Sequence, residues 1–194
     1  MSVRRLIRAC GIIFLTVTLA MHGLAANAAG AEVGTPTIVQ TEDGTVLTGN
    51  FSLTLSPALT DAVNHGIPLV FQMEAELKRP RWYWVDETLY KARIDRRLTY
   101  NALVRNYRVS DDQGGRNFMN LPDALKYIAR PAQWRIPAGQ ARAGETVDAA
   151  IRFRLDPTFL PKPFQVVSFG DRDWRLDSDW RQFQLTVSAV AGAH

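Results

Sequence analysis

The feature that most constrains this chain is strict two-residue alternation over one long stretch, a period that suits a strand and not a helix. Phe71, Met73, Ala75 and Leu77 alternate with Gln72, Glu74, Glu76 and Lys78, the pattern of a strand with one buried face. The patch Trp82-Tyr83-Trp84 follows, and Val85-Asp86-Glu87-Thr88 reads as a turn. Alternation then resumes on Tyr90, Ala92, Ile94, Leu98 and Tyr100, with Lys91, Arg93, Asp95 and Arg97 between them. The reading is a long antiparallel hairpin whose apolar face seeds the core of a β domain. Read as a strand, Trp82 to Trp84 put aromatics on both faces. One face belongs to the core, and the other is a candidate recognition surface.

The rest of the chain repeats the theme. Thr37–Thr41 and Thr45–Leu55 flank Asp43-Gly44, a hairpin signal. Gly49 falls on the apolar face of the second strand and suggests a bulge. Ser56 as N-cap and Pro57 at the first helical position open a short helix that stops at Gly66. A second helix follows Asn120, with Leu121, Ala124, Leu125, Ile128 and Ala129 at helical spacing. Further strands are expected at Ala102–Val109, after a bend near Asn101, at the edge segment Trp134–Ile136, at Val147–Leu155, at Val166–Phe169 and at Phe183–Val190. Phe159 to Phe164 is proline-rich and reads as an extended connection. No strand–helix–strand rhythm repeats. The expected fold is mainly β: an antiparallel β-sandwich of immunoglobulin-like architecture, with seven to nine strands and two short helices.

The first 28 residues read differently. Arg4, Arg5 and Arg8 precede an apolar run from Gly11 to Ala20, and Ala26-Asn27-Ala28 is a small-x-small site. This is the order of a secretory signal peptide, so residues 1–28 are set apart from a domain at 29–194. The alternative is an uncleaved anchor in the inner membrane, for which the apolar run is short. No later stretch is long enough to span a bilayer. The reading places the mature domain in the periplasm. Removing residues 1–28 takes Lys+Arg from 23 to 20 against 19 Asp+Glu, so the net charge drops from +4 to +1. That leaves no electrostatic case for a nucleic-acid partner.

Charge is uneven along what remains. Nine basic residues lie between Lys78 and Arg108, among them Arg79, Arg81, Arg93 and Arg97, against Asp86, Glu87 and Asp95. With Trp82 and Trp84 these arginines form the candidate binding surface.

Several chemistries lack their residues. The one cysteine, Cys10, lies in the signal, and of the histidines only His65 stands in the body of the domain. A triad, a thiolate site or a histidine-based metal site cannot be assembled. Asp171, Asp173, Asp177 and Asp179 invite a calcium reading. Arg175 and Leu176 stand where the ligand loop needs a ligand and a glycine. Glu74 with Glu76, and Asp86 with Glu87, read as surface pairs among arginines. No metal or cofactor is expected. Trp174, Leu176 and Trp180 share even positions, while Phe183, Leu185 and Val187 are odd. Both tryptophans are therefore expected to pack inward as structural residues, with a break near Arg181-Gln182.

Four phrases occur together: TYNALVRNYRV at 99–109, NLPDALKYI at 120–128, FRLDPTFLPKPFQV at 153–166 and DWRLDSDW at 173–180. With the signal before them, they resemble the bacterial exported family known as domain of unknown function 4390, over essentially the whole mature chain. The resemblance implies a cell-envelope protein of Gram-negative bacteria and supplies no activity, substrate or catalytic residue. The expectation is a non-catalytic periplasmic binding or accessory domain whose partner is another envelope protein, or an extended peptide added to a sheet edge. The second reading is a lipid- or glycan-binding module that uses the tryptophans and the basic strand, and the third is an enzyme of unknown type.

Overall fold

Eleven strands form three antiparallel sheets in the computed structural model, which describes residues 30–189 apart from residue 84, and only the backbone of Val167 and Phe169. The expected signal segment and Trp84 lie outside the described residues. The strands are β1 (Gly30–Val33), β2 (Thr37–Thr41), β3 (Gly44–Gly49), β4 (Phe51–Thr54), β5 (Leu69–Arg79), β6 (Glu87–Asn101), β7 (Asn106–Asp111), β8 (Gly114–Phe118), β9 (Ala132–Pro137), β10 (Thr146–Leu155) and β11 (Arg181–Thr186). Three short helices join them: α1 (Pro57–Asn64), α2 (Leu121–Ile128) and α3 (Lys162–Gly170). The large sheet has the order β11-β10-β5-β6-β7-β8; β2-β3-β9 and β1-β4 form the smaller ones.

The mainly β, antiparallel, sandwich-like fold is the one expected. The organising hairpin is β5–β6, paired from Leu69↔Leu98 to Arg79↔Glu87. Phe71, Met73, Ala75 and Leu77 are fully buried, as are Val147, Ile151 and Phe153 on the adjoining β10. Onto this inner face the small sheets lay Leu47, Trp134 and Ile136, and Phe51 joins Trp134 and Phe153 with ring centroids at 6.3 and 5.4 Å. Such burial contributes about 1.5–3 kcal/mol for each large side chain.

Both expected helices carry their expected caps. Ser56 Oγ accepts from Leu59 N at 3.1 Å, and Asn120 Oδ1 accepts from Asp123 N at 2.9 Å. Gly66 terminates α1 with φ +83°.

Several expectations need correction. Pro157–Phe159 forms a 3-10 turn, and Lys162–Gly170 is helix where an extended link and then a strand at Val166–Phe169 were expected. Pro161 and Pro163 fall at the start of that helix, where a missing N–H leaves no bond unmade. The strand expected from Thr45 to Leu55 divides at Asn50. Gly49 keeps regular register opposite Ala132; a Cβ there would meet Trp134 Cζ3 at 2.9 Å, so close packing and not a bulge requires glycine. β7 starts at Asn106, because Ala102–Arg105 closes a tight turn with Arg105 at φ 49°. The phase reversal near the end comes at Asp179 (φ 54°), two residues before the expected break. The added strands are short, and β8 (GGRNF) has almost no apolar residue to betray it.

Candidate functional site

The two long margins of the sandwich are built differently. On one, the chain leaving β11 crosses to the small sheet. Gln40 N donates to Ser188 O at 2.7 Å and Ser188 N to Ile38 O at 3.2 Å, with Val187 buried beneath. On the other margin, among the described residues, no strand pairing joins β6 to β9. β7 pairs with β6 only over Arg97–Asn101, and β9 pairs only with β3. A cleft of about 510 Å³ opens there.

Its floor is the inner face of β6, where Tyr90, Ala92 and Ile94 are half-buried. One wall is β9 at Gln133, Trp134 and Arg135, and Asp111 to Gln113 in the β7–β8 turn close an end. Burial raises the Tyr90 hydroxyl pKa above the usual tyrosine value.

The deep end is held by arginines. Arg96 is only 3% exposed and donates from Nη1 to Ile128 O (2.5 Å) and Arg130 O (2.7 Å), the carbonyls at and just past the end of α2. A cation suits a helix C-terminus. Burial, with Arg130 adding to it, lowers the Arg96 pKa to about 10, so the group stays cationic at neutral pH. Arg130 lies over the Tyr127 ring at 3.8 Å and pairs with Asp111. Two buried donors in the cleft walls, Arg96 Nε and Trp134 Nε1, have no hydrogen-bond partner among the described residues.

The structure separates the residues singled out in the sequence. Trp82 and Tyr83 are 95% and 64% exposed at the tip of the β5–β6 hairpin, with ring centroids 5.2 Å apart. They belong to a turn, not a strand, and the expectation that one aromatic face there enters the core fails for both. Pro80 has no N–H to continue the ladder, so pairing stops at Arg79↔Glu87. Arg79 reaches Glu145 (2.5 Å) and Glu87 (2.8 Å), and Arg81 also reaches Glu87 (2.5 Å). These hydrogen bonds hold both glutamates below the usual carboxylate range. The two arginines at the tip are therefore already balanced by acids. Arg93 lines the cleft, about 20 Å along the strand from Glu87 at ~3.3 Å per residue. Arg97, four residues further on, projects from the same outer face of β6 as Arg93 and lies by a shallow depression at Val70 and Phe159. Of the five expected residues that are described, Trp82, Arg79 and Arg81 lie at or beside the hairpin tip, and Arg93 and Arg97 lie further along β6.

Trp174 is half-buried and stacks on Phe164 at 5.0 Å, whereas Trp180 is 42% exposed and does not join the core. Leu176 between them is buried. Asp177 receives both arms of Arg152, one at 2.8 Å; burial alone would raise its pKa, but these bonds hold it below the usual range.

Sequence reasoning missed Arg96, Arg130 and Arg135. For Arg96 a signal was present: it interrupts the apolar even phase of β6, between Ile94 and Leu98. Arg130 and Arg135 carry no local mark, because their place follows from the turn that brings β9 opposite β6.

The family model described as Domain of unknown function (DUF4390) matches residues 28–184. No curated protein matches the sequence, and no solved structure matches it.

Proposed function

The chain belongs to the DUF4390 family, and from that premise we propose that it is a non-catalytic binding or accessory domain of the bacterial cell envelope. It is exported by residues 1–28, stays in the periplasm without a membrane span of its own, and has another envelope protein as partner. The observation that carries this reading is the open margin of the sandwich: a cleft with an apolar floor and a cationic wall, bordered by unpaired strand. Apolar surface of that kind is stabilised by a partner. Asp111, at the end of the cleft, is engaged by Arg130, so its carboxylate serves the architecture of the cleft.

A second reading, a lipid- or glycan-binding module, draws on the exposed Trp82-Tyr83 tip. The pairing of Arg79 and Arg81 with glutamates weakens its cationic half. Photo-crosslinking in intact cells separates the two. A photoreactive residue at position 135 is expected to give a discrete protein adduct. An adduct to lipid at position 82, with none at 135, would replace the first reading by the second.

A further inference from the structure

Resting on the reading of the chain as a partner-binding domain, we propose that the cleft takes an extended, acidic segment of the partner, added as a further strand to the free edge of β9.

The backbone sets the register. Thr41 and Gly44 face each other across a two-residue turn, so they exchange hydrogen bonds, and bonded pairs alternate from there along the sheet. On β3 this turns Thr45, Leu47 and Gly49 toward β9, opposite Ile136, Trp134 and Ala132. Gln133 and Arg135 therefore aim their N–H and C=O groups away from β3, into the margin where the cleft lies. No backbone bond from a described residue meets them. An unpaired edge of this kind is a template for an extended chain. Pro137, which has no N–H, ends the template.

Side chains select the guest. Successive residues of a strand point to opposite faces. A strand laid beside β9 would turn every second side chain onto Tyr90, Ala92 and Ile94, which asks for apolar residues there. The intervening side chains would lie on the outer face with Arg135, which has no ion pair with any described residue. Four arginines line the cleft (Arg93, Arg96, Arg130, Arg135) against Asp111 and Asp112. Cross-strand pairing with acids is favoured, and with bases opposed.

The probe is a capped decapeptide of alternating valine and glutamate, with the valine–lysine peptide as its counterpart, titrated into ¹⁵N-labelled protein lacking residues 1–28. Amide shifts are expected at Gln133–Arg135 and Tyr90–Ile94 with the acidic peptide only. Gln133→Pro removes an edge N–H and Arg135→Glu reverses the charge; each is expected to weaken binding about tenfold. Gln133→Ala retains binding, and unchanged melting temperatures establish that all three variants fold. Equal binding of the lysine peptide, shifts confined to Trp82-Tyr83, or full binding by Gln133→Pro would overturn the proposal. A protein adduct at position 135 without binding of the acidic peptide overturns the strand and leaves the partner-binding reading standing. Loss of both overturns both.

Discussion

The margin closed by Ser188 and the margin left open beside β9 face the same physical problem, an unpaired edge at the rim of a two-layer core. At the first, the chain supplies its own cover: Ser188 bonds β2 at both its N–H and its C=O, and Val187 is buried beneath it. At the second, the described chain supplies arginines and an apolar floor but no strand. Exposed edges invite association, and proteins ordinarily cover them or crowd them with charge. Here positive charge predominates, four arginines against Asp111 and Asp112, and such an excess repels basic strands and attracts acidic ones. The difference is that one margin is closed by the chain's own backbone, whereas the other, under the proposal above, is left for a partner that its charge selects.

Four substitutions break or sharpen this contrast. Trp134→Ala removes the largest fully buried side chain, which lies between the sheets on the β9 wall. It should cost about 3–5 kcal/mol in urea denaturation. Trp82→Ala at the hairpin tip should stay within about 0.5 kcal/mol. Arg96→Leu leaves the carbonyls of Ile128 and Arg130 without their donor. A loss of about 2–3 kcal/mol is expected, with faster exchange in the last turn of α2. Ser188→Pro deletes the bond to Ile38 and opens the closed margin, at about 1 kcal/mol. That variant should also self-associate more readily, a change that light scattering would report.

A fifth effect concerns pH. Asp177 has a folded pKa below its ordinary value because Arg152 binds its ionised form. Its contribution is present above the unfolded value near 4 and is lost as pH falls through the lower folded one. Asp177→Asn should cost no more than about 1 kcal/mol at neutral pH and should flatten the acid limb of a pH–stability curve.

Much of the framework was legible because its signals are local. Period-2 alternation located β5, β6 and β10, and Ser56-Pro57 and Asn120 marked helix starts whose caps form as read. The misreadings have physical causes. Val166–Phe169 has strand-like residues, yet two prolines at its approach start a helix. Trp82-Tyr83 looked like a strand with a buried face because hydrophobicity does not reveal where a ladder stops; Pro80 does. The cleft was illegible for a different reason. It belongs to the space between β6 and β9, about 40 residues apart in the chain, and only the pairing of β9 with β3 places it.

Amide hydrogen exchange, resolved by residue in the free protein, tests the central claim most directly. Gln40 and Ser188, bonded across the closed margin, should exchange far more slowly than Gln133 and Arg135 at the open one. Trp134 and Ile136, whose N–H groups face β3, should resemble the protected pair. Protection at Gln133 and Arg135 equal to that at Trp134 and Ile136 would mean that the β9 edge is already covered, and would contradict the account.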